Sequence, residues 1–388
     1  MHNFRWQFSW PFLFYFSFFA ALAMLLPYVA LYYQGIGLTG AQIGLLTGVA
    51  PLITLVGAPI WTGIADATHH HKLVLNLSTL AAIVCVVFIP SLRNFGFLWA
   101  MVSLYTLVSS PIVPLADSAT MSMLGDRHNL YSRLRIGGTI GWGLMSFFAG
   151  RILDRLGISW AFWIYAAMML VNLLIAQGLR FGPKEIRYPF WNGINSFIHD
   201  RRWVSFLIMA FICGLGMASI NVYQFVYLAE IGANKSLMGL SLTISTISEL
   251  PVMFFGGWFL KKLKPRGLLT LSLAVIGARL LLFSAFNYPM AILFIQLMHG
   301  LTFPAVWIAG VAYAYENTPP GLAATGQGLF GAMLTGLGGA VVGFLGGLMI
   351  DAWGGRGMYL VFGSVTLVSA ILFWISQKAS SSLSPARE

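Results

Sequence analysis

The chain has 388 residues, of which 58% are hydrophobic and only 9% carry a charged side chain. A soluble globular domain has about 25% charged residues, so this composition excludes an ordinary water-soluble protein and predicts a polytopic membrane protein. The formal net charge of +11 does not indicate nucleic-acid binding, because the basic residues lie in short connectors between apolar runs. The runs are continuous, which favours membrane helices over the alternating segments of a β-barrel.

Charged residues, together with Gly, Pro and Asn, separate the apolar runs from one another. The predicted membrane helices, in chain order, are 10–33, 41–65, 73–90, 96–124, 136–153, 159–179, 203–229, 237–260, 268–286, 290–314, 321–350 and 357–377. The expected fold class is an all-α polytopic membrane protein with twelve transmembrane helices in two pseudo-symmetric six-helix bundles. The predicted domains are an N-terminal bundle, a cytoplasmic central linker and a C-terminal bundle, at 1–179, 180–202 and 203–388.

The two predicted bundles share a sequence motif. GRILDRLG (150–157) and GLMIDAWG (347–354) both read G-x-x-x-D-x-x-G, at an offset of 197 residues that also carries Trp61 onto Trp258. Parallel repeats of this kind are typical of transporters, in which substrate binds between the halves near the middle of the membrane. With an even number of spans, 15 Lys and Arg fall on the side of the termini and 5 on the other. The positive-inside rule then predicts a multi-pass inner-membrane protein with both termini in the cytoplasm.

A charge inside a span costs at least about 2.5–3.5 kcal/mol, so such residues are usually paired or functional. Glu249, Arg279 and His299 lie on three successive predicted spans of the C-terminal half. Arg279 favours an ionised Glu249, burial favours a protonated one, and His299 titrates near neutrality. These properties predict a proton-coupling site. A static ion pair that holds the three helices together remains the alternative, as does a helix-bridging hydrogen bond for His299.

In the N-terminal half, Asp117 and Arg135 lie on helices joined by a short connector, and Trp142 follows Arg135 by two helical turns. Together they are candidates for binding a sugar or an aromatic carboxylate. The alternatives are a positive-inside loop charge for Arg135 and packing or lipid contact for Trp142. Asp66 ends the second span before the turn that contains His69 to His71. It is predicted to act in gating, bound to a helix N-terminus or a cation of the turn. No metal site is expected.

The twelve spans and the charged turn resemble the major facilitator superfamily over essentially the whole chain. YSRLRIGGTIGWGL (131–144) is similar to the fifth-span motif of the oligosaccharide:proton symporters, the lactose permease family, in which Arg-x-Arg precedes Gly-x-x-Gly-Trp. This resemblance implies that Arg135 binds substrate, that Trp142 is an aromatic platform, and that Asp117 takes the acidic substrate-binding position.

The C-terminal trio resembles the cluster that this family carries on its eighth, ninth and tenth spans. It also resembles the 3-phenylpropionate permease branch and, more loosely, the nucleoside:proton symporters. The lactose permease family has a Glu one turn after the tenth-span His, whereas this chain has Thr302. Glu249 with His299 is therefore the leading candidate for carrying the proton, and Asp117 is the second.

The function expected from these features is proton-coupled symport of a small organic solute, a sugar or an aromatic carboxylate, by alternating access. The expected partners are the solute, protons and the lipid bilayer, with no cofactor, and a monomer is expected. The alternatives are a proton-driven multidrug exporter, because Phe- and Met-rich cavities suit apolar cargo, and a nucleoside:proton symporter. An enzyme is not expected, since the sequence shows no catalytic triad, metal spacing or phosphate loop.

Overall fold

The computed structural model describes residues 3–125, 127, 130–182, 197, 199–318 and 322–382. Within these ranges the regular structure is entirely helical, which confirms the predicted all-α class. Most of the predicted linker, 180–202, lies outside the described residues. The chain folds into two compact units, Met1–Arg187 with Ala233–Thr243 and Tyr188–Gly232 with Ile244–Glu388. Residues 233–243, which belong to the predicted C-terminal bundle, thus group with the first unit.

The first unit is built around its first helix, which packs along the sixth and seventh. The buried face of the first helix carries aromatic side chains, among them Phe14, Tyr15 and Tyr28. The helices of this unit are α1 (Asn3–Gly35), α2 (Gly40–Thr68), α3 (His71–Phe88), α4 (Phe95–Ser109), α5 (Ile112–Leu124), α6 (Tyr131–Leu156) and α7 (Trp160–Ala176).

The second unit has its core where three long helices, which span residues 201–230, 256–285 and 338–382, pack on one another. Its helices are α8 (Arg201–Glu230), α9 (Lys235–Phe254), α10 (Gly256–Ala285), α11 (Pro289–Ile295), α12 (Phe303–Asn317), α13 (Ala323–Gly331) and α14 (Gly338–Ser382). The first turns of α9 belong to the first unit, and the rest of this helix belongs to the second.

In the described ranges, nine helical stretches are long and apolar enough to cross a membrane. One of them, Thr325–Lys378, contains 54 residues. A helix of that length measures about 80 Å, roughly twice the thickness of a bilayer, and it is interrupted at Gly354. Trp160–Ala176 is a shorter apolar helix. The protein is therefore a multi-pass membrane protein, and the number of twelve spans stays a prediction.

The last glycine of the repeated motif ends a helix in both halves. Gly157 follows α6 with φ 95°, and Gly354 interrupts α14 with φ 66°. A residue with a Cβ is strained at such angles, whereas glycine is not. The motif thus marks two equivalent helix ends.

Several predicted spans cross a break between α-helices. In predicted span 237–260, α9 ends at Phe254 and α10 begins at Gly256. Within predicted span 96–124, α4 ends at Ser109 and α5 begins at Ile112, with Pro111 at the junction. Proline has no N–H to continue the helical hydrogen-bond ladder, which accounts for the break.

Predicted span 290–314 contains a 3₁₀ segment, Gln296–Leu301, between α11 and α12. Pro304 lies in the first turn of α12, where its missing N–H is tolerated. A 3₁₀ helix has three residues per turn, so residues spaced by three lie on one side. This geometry decides which side chains of the segment face α10.

Candidate functional site

Asp117, Arg135 and Tyr15 meet inside the first unit. Arg135 Nη1 donates to Asp117 Oδ1 at 3.1 Å, and the Tyr15 hydroxyl donates to the same oxygen at 2.6 Å. The Arg135 guanidinium lies over the rings of Tyr15 and Phe19, at 5.0 and 5.2 Å from their centroids. The side chains of Asp117 and Arg135 are 33% and 35% exposed. The cluster thus combines an accessible carboxylate, a guanidinium and aromatic faces.

Tyr15 was not identified from the sequence. It lies on α1 within an aromatic run, WPFLFYFSFF (10–19), in which every ring has the same apparent role in packing or lipid contact. In the structure Tyr15 is fully buried, and its hydroxyl also pairs with Thr120 at 3.1 Å. The bonds from Tyr15 and Arg135 therefore fix the position of the Asp117 carboxylate.

Trp142 is half-buried on α6, two turns beyond Arg135. Seven residues advance a helix by about 10 Å. Among the described residues, no hydrogen bond, ion pair or ring contact joins the Trp142 side chain to Asp117 or Arg135. The backbone positions of Arg135 and Trp142 are therefore separated by about 10 Å along α6.

Glu249, His299 and Arg279 form a linear chain of contacts in the second unit. His299 Nε2 lies 2.9 Å from Glu249 Oε1, and His299 Nδ1 lies 2.8 Å from Arg279 Nη1. The side chains of His299 and Glu249 are 16% and 13% exposed, and Arg279 is 2% exposed. His299 stands between the two charges. His299 therefore bridges Arg279 and Glu249 through its two ring nitrogens.

The contacts of His299 assign its tautomer. A guanidinium only donates hydrogen bonds, so His299 Nδ1 accepts from Arg279 and carries no proton. A neutral imidazole then has its proton on Nε2, which donates to Glu249 Oε1. While Arg279 holds this position, an additional proton cannot enter at Nδ1. The group that remains able to accept a proton is the Glu249 carboxylate.

Residues spaced by three along the segment after α11 bind the Arg279 guanidinium. Gln296 Oε1 accepts from Arg279 Nη2, and Thr302 Oγ1 accepts from Nη1 at 3.3 Å. Gln296 and His299 lie on one side of the 3₁₀ segment, and Thr302 directly follows this segment, so all three reach one guanidinium. Gln296 was not identified from the sequence, since a neutral amide in a span carries no charge to signal it.

Asp66, at the end of α2, contacts His71 at the start of α3, with 2.7 Å between Asp66 Oδ1 and His71 Nε2. The His71 ring stacks on Phe181 at 5.4 Å. Lys72 donates to the Gln177 carbonyl at 2.6 Å, which ties the start of α3 to the end of α7. Asp66 thus lies in a network that joins three helix ends.

The comparisons with known proteins agree with this architecture. The model of the MFS_1 like family matches residues 10–361. The maltose permease of Geobacillus stearothermophilus is 24% identical over 377 residues, covering 94% of this chain and 93% of its own. The probable 3-phenylpropionic acid transporter of Escherichia coli (strain K12) is 21% identical over 313 residues, covering 78% and 81%.

Among solved structures, the nucleoside transporter NupG (D323A mutant) superposes with a TM-score of 0.86 at 16% sequence identity, covering 95% of this chain and 99% of its own. At 16% sequence identity, this superposition is evidence for the fold and not for the substrate. Because the family model spans nearly the whole chain, the protein belongs to the MFS_1 like family, within the major facilitator superfamily of membrane transporters.

Proposed function

We propose that this protein is a proton-coupled symporter that moves a small organic solute across the inner membrane by alternating access, with both termini in the cytoplasm. The observation that carries the proposal is the series of contacts from Glu249 through His299 to the buried Arg279. Buried ionisable residues within membrane spans are expensive, and they mark ion pathways and proton relays. Membership of a transporter family gives this chain its context.

The proton binds to Glu249 in this proposal. His299 Nε2–H already occupies Oε1, so an incoming proton adds to Oε2 and leaves both His299 contacts intact. Among Glu249, His299 and Arg279, Glu249 carries the negative charge. Its protonation removes this charge and leaves the Arg279 cation buried. The two protonation states of Glu249 therefore have different electrostatic energies, and a difference of this kind can bias a conformational equilibrium.

The solute binds at Asp117 and Arg135, with Trp142 as a more distant aromatic platform. The carboxylate of Asp117 accepts hydrogen bonds from hydroxyls, and Arg135 donates to hydroxyl or carboxylate oxygens. This chemistry suits a sugar or an aromatic carboxylate, the two classes in the names of the relatives described above. Asp66 serves as a gating residue through its contact with His71.

The test is solute uptake by proteoliposomes that contain the purified protein. Maltose, 3-phenylpropionate and uridine are first screened for an increase in melting temperature, and those that stabilise the protein are tested for flux. An inwardly directed proton gradient is expected to drive accumulation of at least one of them, and a protonophore to abolish it. Uptake that is identical with and without the gradient would contradict proton coupling. If uridine is the solute that is transported, the proposed substrate class changes from a sugar or aromatic carboxylate to a nucleoside.

A further inference from the structure

The beginning of α10 combines exposed aromatic side chains with lysines. Phe254, Phe255 and Trp258 are 83%, 54% and 55% exposed. Lys261 and Lys262 follow within about one turn and are also exposed. The Lys262 ammonium lies 5.0 Å from the centroid of the Trp258 ring. We call residues 254–266 the aromatic–basic segment.

The aromatic–basic segment is cationic throughout its second part. It contains Lys261, Lys262, Lys264 and Arg266 and no acidic residue. Arg266 Nη2 donates to the hydroxyl of Tyr313, on α12, at 2.8 Å. These cations therefore lie at the end of the second unit where α10 approaches the end of α12.

The backbone sets this segment apart from the remainder of α10. Lys264 has φ 57° and ψ 162°, a conformation that essentially only glycine adopts readily. Pro265 follows, and it cannot continue the helical hydrogen bonds. Residues 256–263 thus form two helical turns that end at a kink, with the lysines beside it.

The positive-inside rule accounts for lysines in a connector, and aromatic rings that directly precede them along the chain are typical of a membrane–water interface. A membrane surface can bind both the lysines and the aromatic rings. It presents phosphate charges to the lysines and, within about 10 Å, an acyl boundary to the aromatic rings. We propose that the aromatic–basic segment binds the headgroups of anionic phospholipids through its lysines, with Phe254, Phe255 and Trp258 entering the boundary of the acyl chains.

The experiment uses the purified full chain in detergent, titrated with short-chain phosphatidylglycerol or phosphatidylcholine and followed by native mass spectrometry. The test variant is Lys261→Gln with Lys262→Gln. The control, Arg93→Gln with Arg155→Gln, removes the same charge from two exposed arginines outside the segment. Lys261→Arg with Lys262→Arg keeps the charge. Melting temperatures in phosphatidylcholine verify that all variants are folded.

The protein is expected to bind phosphatidylglycerol more tightly than phosphatidylcholine. Loss of two surface cations is expected to weaken phosphatidylglycerol binding about thirtyfold, while the arginine control and the charge-keeping variant retain it. Unchanged binding by the Lys→Gln variant would overturn the proposal. An equal loss in the arginine control would also overturn it, because that result would show an effect of net charge alone.

Discussion

Arg279 organises the second-unit cluster at the scale of single residues. A guanidinium stays charged at any accessible pH, so its burial requires acceptors. His299, Gln296 and Thr302 supply neutral acceptors, and the compensating charge lies one residue further away, on Glu249. The charge balance of this cluster therefore depends on whether Glu249 is protonated.

Gln296→Leu tests the contribution of the amide that was missed from the sequence. This variant leaves Arg279 Nη2 without its acceptor in a site that is 2% exposed. An unsatisfied buried donor costs about 1–3 kcal/mol, so the melting temperature should fall. Gln34→Leu, at an exposed glutamine on α1, is the control and should leave it nearly unchanged. Equal melting temperatures for both variants would refute this role of Gln296.

The sequence identified the charged residues of both clusters but not their neutral partners. Glu249 and Arg279 are conspicuous in a sequence because a charge is costly in a span. Gln296 and Tyr15 carry no such signal, and their roles depend on which neighbour their polar atoms reach. The alignment of Gln296 with His299 also depends on a 3₁₀ segment, which hydropathy does not reveal.

At the scale of helices, the ends of α6 and α14 show how the repeated motif operates. Asp154 of the first copy accepts backbone N–H groups of Lys235 and Ser236 at 3.0 and 2.8 Å, and it also accepts the Ser236 hydroxyl. These groups begin α9, the helix that carries Glu249 further along. Asp154 therefore holds the beginning of the proposed proton-binding helix.

The Asp154 contacts predict a pH-dependent stability. Asp154 lies one residue beyond the predicted span, and burial raises the pKa of its carboxyl. Hydrogen bonds from Ser236 and Lys235, with the Lys235 ammonium, outweigh burial and lower this pKa below its ordinary value. A lowered pKa in the folded state means that the carboxylate stabilises the fold at neutral pH, and that this contribution disappears as the pH falls through the folded-state pKa.

We therefore expect Asp154→Asn to lower the melting temperature at pH 7, and the difference from the unsubstituted protein to shrink below about pH 4. Glu316→Gln, at an exposed carboxylate near the end of α12, serves as the control. If Asp154→Asn instead lowers the melting temperature by the same amount at every pH from 7 to 3, the charge of Asp154 is not the cause of the lost stability.

Gly354→Ala tests the helix end in the second copy of the motif. At φ 66° an added Cβ is strained, and it would also lie 2.8 Å from a carboxylate oxygen of Glu230. We expect a cost of about 1–3 kcal/mol, seen as a lower melting temperature. Gly331→Ala, in α13, meets no atom within 4 Å and is the matched control. A control that destabilises the protein as much as Gly354→Ala would rule out the backbone explanation.

At the scale of the whole molecule, hydropathy was sufficient to predict a multi-pass helical protein. It could not predict the breaks at Pro111 and in the segment that carries His299, because both lie inside continuous apolar runs. It also could not predict that residues 233–243 pack with the first unit, since that depends on tertiary contacts.

We propose that Glu249 carries the proton that drives transport. A membrane potential of 100 mV supplies about 2.3 kcal/mol per proton, or roughly fiftyfold accumulation of solute. The most direct measurement compares uphill uptake with solute exchange at equal concentrations, in proteoliposomes containing Glu249→Gln or the control Glu316→Gln. We predict that Glu249→Gln retains exchange but loses accumulation, whereas the control retains both. Normal accumulation by Glu249→Gln would show that Glu249 does not carry the coupled proton.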